Sequence, residues 1–199
     1  YKNLMKLVSI GFLEGFYYKP RVDKEVLKEY SEGLICLSGC MKGEISQALL
    51  DKDEKLAEKL TQGYIDIFGK NNFFIELQDN GVDGQKELNK KLYKIAQKFG
   101  LECVATNDAH YLKKEDAYIQ EILLCVGTGK TLQDIDRMKF SSDEFYFKSS
   151  EEMIEIFKDY PDAIDNTVKI AKRCHVEIDF TKMYLPEYKV PAGYDESSY

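Results

Sequence analysis

Leu101-Glu102-Cys103-Val104-Ala105-Thr106-Asn107-Asp108-Ala109-His110-Tyr111 runs from a short apolar stretch into polar residues, just ahead of a helical pattern that starts near Ala117. Read as the end of a β-strand, it places Asp108 and His110 two residues apart and therefore on one side of the chain. A carboxylate oxygen and an imidazole nitrogen so placed can share a metal ion. The same spacing also arises when a turn aspartate sits beside a surface histidine, and the pair alone does not separate the two readings.

The residues before it supply the context. Leu34-Ile35-Cys36-Leu37 is a continuous apolar run of the kind expected for a strand buried on both faces, and it ends at Ser38-Gly39-Cys40. Helical spacing follows over Glu44 to Leu50 and Glu54 to Phe68, where Leu56, Leu60, Tyr64, Ile65 and Phe68 recur and Gly69 is the stop. Phe73 to Leu77 is a second strand closed by the turn Gln78-Asp79-Asn80-Gly81, and Lys86 to Phe99 is a helix ended by Gly100. Strand, helix, strand, helix, strand at this spacing predicts an α/β fold with parallel neighbours. Chemistry in such folds gathers at the carboxyl ends of the strands, which here carry Ser38-Gly39-Cys40, Glu76 to Asp79, and Asn107 to His110. That placement raises the metal reading of Asp108 and His110. Cys40 is either a thiolate ligand or a small apolar residue at a turn, and by itself the turn reading is favoured.

On the amino-terminal side, Leu4, Met5, Leu7, Val8 and Ile10 form the pattern of a helix already in progress at Tyr1, so the chain reads as a piece of a longer protein. Gly11 to Arg21 is expected to be an ordered loop, because Phe12, Phe16, Tyr17 and Tyr18 are too apolar to leave in water. Asp23 is placed to cap a short helix reaching Tyr30. On the carboxyl side, a helix over Ala117 to Cys125 precedes Gly127-Thr128-Gly129-Lys130-Thr131. A phosphate-binding loop needs glycine where Leu124 stands, and it follows a strand, not a helix, so nucleotide binding is rejected there. Asp134-Ile135-Asp136 has polar neighbours and reads as a surface turn. Ser149 or Ser150 caps a helix, another begins after Pro161, His175 is placed at that helix's end, and the tail with Pro186 and Pro191 reads as a linker or crossing strand.

Composition narrows the function. Of 199 residues, 44% are hydrophobic and 13% aromatic, which is enough for a packed core. With 28 basic and 35 acidic residues the net charge is −7, the wrong sign for a module whose main task is gripping phosphate backbones. Five cysteines without a CxxC pair, and no signal or membrane-spanning run, point to a reducing, cytoplasmic compartment.

Six blocks in order, YKNLMKLVSIGFLEGFYYKPRVD, GLICLSGCMKGEI, FFIELQDNG, LECVATNDAHYL, ILLCVGTGKTL and FSSDEFYFKSSEEM, resemble the PHP (polymerase and histidinol phosphatase) domain of C-family bacterial replicative DNA polymerases, the polymerase III alpha-subunit family. The resemblance covers essentially the whole chain. It implies part of a distorted (β/α) barrel of PHP type, with residues 1–148 as the carboxyl-terminal portion of the PHP domain. Residues 149–199 would be a helical and extended junction toward a polymerase domain. It further implies that Cys40 occupies a His or Cys ligand position and that Asp108 and His110 are the closing ligand pair. The ions would be Zn²⁺ or Mn²⁺ at the PHP site and Mg²⁺ at the parent polymerase's own site.

The family's opening His-x-His ligands and its polymerase carboxylates are expected outside this stretch, and many members carry His where this chain has Asn80. DNA, reached through the parent polymerase, and other replisome subunits are the implied partners, with no membrane role. Three readings stand: a metal-dependent phosphoesterase or 3′–5′ exonuclease within a DNA-directed DNA polymerase, a silent docking domain of that polymerase, and a phosphatase of the histidinol-phosphate type. The chain by itself is predicted to be inactive.

Overall fold

A computed structural model describes residues 1–183, 185 and 189–193 of the chain. Pro186 and the acidic end from Asp195 lie outside the described residues, and Pro191 lies in a stretch without helix or strand. Three strands, β1 (Cys36–Leu37), β2 (Phe73–Gln78) and β3 (Cys103–Thr106), form one parallel sheet in the order β1-β2-β3. Between them run α3 (Glu44–Leu50), α4 (Glu54–Phe68) and α5 (Gln85–Phe99). The architecture is the parallel α/β type expected, and among the described residues the three strands form an open sheet, not a closed barrel.

One sheet face makes the core. Phe73, Ile75 and Leu77 of β2 and Cys103 and Ala105 of β3 pack against Ile45, Leu49, Ile65, Phe68, Leu88, Leu92 and Ile95 from the helices. The period of two along a strand turns Phe74, Glu76 and Gln78 to the other face. In α5 the buried stripe is the one the spacing predicts, with Leu88, Leu92, Ile95 and Ala96 inward. In α4 it is shifted: Ala57, Thr61, Ile65 and Phe68 are buried while Leu56 stays 43% exposed. Thr61 is tolerated inside because its hydroxyl donates to the Ala57 carbonyl at 2.8 Å.

The strands are shorter than the apolar runs. β1 is confined to Cys36 and Leu37 and only half-buried; β3 is an edge strand too, but it is covered by α8. Leu34 is taken by a turn in which its N–H donates to the Ser31 carbonyl at 3.1 Å. β3 begins at Cys103 because Leu101 still serves α5, its N–H donating to the Ala96 carbonyl at 2.9 Å beyond the left-handed Gly100.

The amino-terminal segment corrects one expectation. α1 (Lys2–Leu13) and α2 (Lys24–Glu29) form, and the Asp23 carboxylate accepts from the Val26 N–H at 2.9 Å as the cap. The aromatics at the end of α1 and between the two helices are not buried: Phe12, Phe16, Tyr17 and Tyr18 are 57 to 82% exposed. They pack on one another instead, Phe12 stacked on Phe16 and Tyr17 edge-on to Tyr18 at 4.6 Å, which removes some ring surface from water without a core.

Past β3, α6 (Ala117–Thr128) runs three residues further than the spacing predicts and closes on left-handed Gly129. The glycines of the rejected phosphate loop are thus helix and helix cap. Asp134 accepts from the Thr131 N–H and Asp136 pairs with Lys130, the surface turn expected, with Ile135 fully outside. Ser149 caps α7 (Ser150–Ile156) and shares a capping box with Glu152. α8 (Pro161–Arg173) lies on β3, where buried Asn166 donates from Nδ2 to the Cys103 carbonyl at 2.7 Å. Phe157 and Ala163 join the same core as the sheet. His175 stands just past the last turn of α8 and is exposed. Among the described residues, no helix is long and apolar enough to cross a membrane.

Candidate metal centre

Where β3 stops, Asn107-Asp108-Ala109-His110 turns outward and is held by its backbone. The His110 N–H donates to the Phe145 carbonyl at 2.7 Å, and the Phe147 N–H donates to the Tyr111 carbonyl at 3.0 Å, so the extended segment 145–147 runs alongside as a short parallel bridge. The His110 ring sits 4.7 Å from Phe140 and 5.6 Å from Phe145, which fixes its plane. His110 Nε2 then stands 3.2 Å from Asp108 Oδ1, both side chains 39% exposed. Lys114 pairs with the Glu144 carboxylate, and Lys148, almost wholly buried, donates to the Glu144 carbonyl, so the bracing segment is itself tied down.

Asn80 lies underneath. It is 1% exposed, and its Nδ2 donates to the Glu144 carbonyl at 3.0 Å and reaches the Asp108 carbonyl at 3.4 Å. Its N–H donates to Gln85 Oε1 at 2.8 Å and its carbonyl accepts from Ser142 Oγ at 2.6 Å. The turn after β2 is therefore a buried joint under the Asp108 loop. Asn80 Oδ1 has no partner there, an orphaned buried acceptor.

Cys40 sits at the carboxyl end of β1, in a tight turn closed by the Gly43 N–H on the Cys40 carbonyl at 2.8 Å. Only glycine fits at 43, since a Cβ there would stand 2.5 Å from the Ser38 carbonyl oxygen. The thiol is exposed and lines, with Glu76, a small cleft at the strand ends. Buried Cys103 and half-buried Cys36 behave differently: burial pushes Cys103 up to about 12, and burial, then the Glu76 charge, pushes Cys36 up to about 11. Neither is a ready thiolate at neutral pH.

Asp108 and His110 are brought together, and Cys40 is not brought to them. Among the described residues no group of three or more His, Cys, Asp or Glu side chains is arranged to hold an ion. A carboxylate and an imidazole in contact suit one divalent ion whose other positions are filled from elsewhere. They do not suit a two-ion centre, which needs bridging ligands across ~3.5 to 4 Å.

Glu76 is the strand-end residue whose part the spacing alone misses. Its Oε1 accepts from Thr106 Oγ1 at 2.5 Å and from Gln78 Nε2 at 3.1 Å, and its Oε2 accepts from the Gly39 N–H at 3.1 Å. The sequence signal is an ionisable residue inside the otherwise apolar run Phe73 to Leu77, a position where a charge is kept only if it is paired.

Comparison with known proteins bears on the same segments. The PHP domain family model matches residues 1–80. The DNA polymerase III subunit alpha of Treponema pallidum is 47% identical over 96% of this chain, that of Borreliella burgdorferi 44% over 98% of it, and that of Thermus aquaticus 43% over the whole of it. Residues 1–80 thus match a PHP domain, and the chain as a whole is similar to a segment of polymerase III alpha subunits. It spans 16 to 17% of the length of these relatives. The identity to the alpha subunits extends well past residue 80, so the Asp108 loop, α6 and α8 belong to the related stretch as well.

Proposed function

We propose that this chain is the PHP region of a bacterial replicative DNA polymerase, a cytoplasmic nucleotidyltransferase that copies DNA within a replisome, and that Asp108 and His110 are its contribution to a divalent-metal site for phosphodiester hydrolysis. The polymerase reading rests on 47% identity over 96% of the chain to a polymerase alpha subunit. The hydrolytic reading rests on the 3.2 Å Asp108–His110 contact at the carboxyl end of a parallel strand. The residues that would hold the ion are Asp108 and His110, with Cys40 able to join only if its turn moves toward them. Zn²⁺ or Mn²⁺ suits an imidazole and carboxylate set better than Mg²⁺, which belongs to the polymerase's own site. A bound ion there supplies a Lewis acid for phosphate oxygens and an activated water. The chain's own part is to hold the imidazole plane against Phe140 and Phe145 and the carboxylate in register with β3.

A second reading is a docking domain without hydrolysis, favoured by the lack of a third donor beside the pair among the described residues. The longer polymerase carrying this segment decides between them. Wild type should extend a primer on a template and shorten a single strand from its 3′ end, and Asp108→Ala should lower the nuclease rate at least ~10-fold relative to extension. An unchanged nuclease-to-extension ratio supports docking alone, and absence of template-directed extension in the wild type rejects the polymerase reading. The isolated chain should incorporate no nucleotide.

A further inference from the structure

We infer that Glu76 is a positioning residue whose carboxylate sets the spacing between the Cys40 turn and the Asp108–His110 loop; its link to hydrolysis rests on the metal reading above. The backbone ladder between β1 and β2 pairs only Cys36 with Phe73 and Leu37 with Phe74, and a last rung runs from the Ser38 N–H to the Phe74 carbonyl. Beyond it the two chains are joined through side chains. The Glu76 N–H donates to Ser38 Oγ at 2.9 Å, and the Gly39 N–H donates back to Glu76 Oε2 at 3.1 Å. On its other flank Glu76 is in register with Val104, and its Oε1 takes the Thr106 hydroxyl, two residues before Asp108. Val104 and Thr106 alternate onto the face that Glu76 occupies, and the Asp108 loop leaves the sheet directly after Thr106.

One carboxylate therefore accepts from the residue before Cys40 and from the residue two before Asp108, with Gln78 Nε2 as a third donor at 3.1 Å. Only a group with four acceptor sites and no donor can meet all three, and hydrogen bonds to a charged acceptor are the strong kind. Removing the carboxylate strands the Gly39 N–H and the Thr106 hydroxyl in a half-buried place and leaves Gln78 Nε2 only its longer bond to Thr106 Oγ1 at 3.4 Å. An amide at the same position is tolerated in one orientation: its oxygen still meets the Gly39 N–H, while the Thr106 hydroxyl turns and the Gln78 amide flips to accept from its nitrogen.

The test uses the whole 199-residue chain in wild-type, Glu76→Ala, Glu76→Gln and Thr106→Val forms. Two readouts are taken: amide hydrogen exchange at Gly39 and His110, and calorimetric Zn²⁺ binding. Glu76→Ala should lose about 10-fold or more in protection at Gly39 and at His110, and Glu76→Gln should retain most of it, as expected for one charge-assisted bond lost or kept. Where wild type binds Zn²⁺, its affinity should fall by a similar factor in Glu76→Ala and recover in Glu76→Gln. Unchanged protection at both amides in folded Glu76→Ala overturns the inference. If Glu76→Ala does not fold, Thr106→Val decides: His110 protection falls about 10-fold while Gly39 holds, or the inference is wrong. Absence of Zn²⁺ binding in the wild type counts against the metal reading alone, because the exchange readout does not depend on it.

Discussion

Cys40 and Cys103 carry the same side chain in opposite surroundings, one exposed in a turn and the other buried in β3. At pH 8 a thiol-specific disulfide reagent should therefore modify two cysteines quickly, Cys40 and Cys174, and reach Cys103, Cys125 and Cys36 only on unfolding; fast loss of Cys103 in the native chain would contradict the burial described. The thiols also predict a pH effect. Cys103 and Cys36 are held protonated in the folded chain, up to about 12 and about 11, whereas an unfolded thiol ionises near ~8.5. The folded state then binds more protons than the unfolded state above pH ~8.5, so stability falls as pH rises through that window and is unaffected by these groups below it. The slope is at most about 1.4 kcal/mol per pH unit per thiol. Denaturant midpoints between pH 8 and 11 measure it, and Cys103→Ala should flatten the curve. Cys40→Ser should change stability by under about 0.5 kcal/mol, since nothing in the turn depends on its sulfur. At this scale Asp108 and His110 are legible in the sequence because two residues of strand spacing is a local fact. Glu76 and Asn80 are not, because their partners, Gly39, Thr106, Asp108 and Glu144, lie 28 to 64 positions away.

α7 and α8 show which elements short-range chemistry fixes. The capping box of Ser149 and Glu152 is written within three positions, and Ser149→Ala should cost ~1 kcal/mol, read by thermal unfolding. Asn166 is different: the helix is legible from its apolar spacing, but the buried bond from Nδ2 to Cys103 is tertiary. Asn166→Ala leaves the Cys103 carbonyl without that donor, should cost ~1 to 3 kcal/mol, and should loosen α8 from β3. A loss near zero would mean that the helix is held by Ala163 and Ile164 alone. The same distinction explains the misread elements. β1 is shortened because Leu34 is drawn into the turn on Ser31, a tertiary detail, and the aromatic segment after α1 stays exposed because aromatic composition says that rings seek contact without saying with what. Helix limits fare better, since caps such as Gly69, Gly100 and Asp23 act within a few residues.

For the molecule as a whole, identity to polymerase alpha subunits runs along nearly the entire chain, while among the described residues the ion-holding groups brought together number two, Asp108 and His110. Those facts agree if the chain supplies one wall of a site and leaves the other ligands to a larger assembly. On that reading a net charge of −7 is no obstacle, because phosphate-backbone binding would fall to other parts. Zn²⁺ titration of the 199-residue chain by calorimetry, alongside Asp108→Ala, tests this most directly. We predict at most one ion per chain, weakly held and lost in Asp108→Ala; two or three ions bound tightly, or binding untouched by Asp108→Ala, would contradict the account.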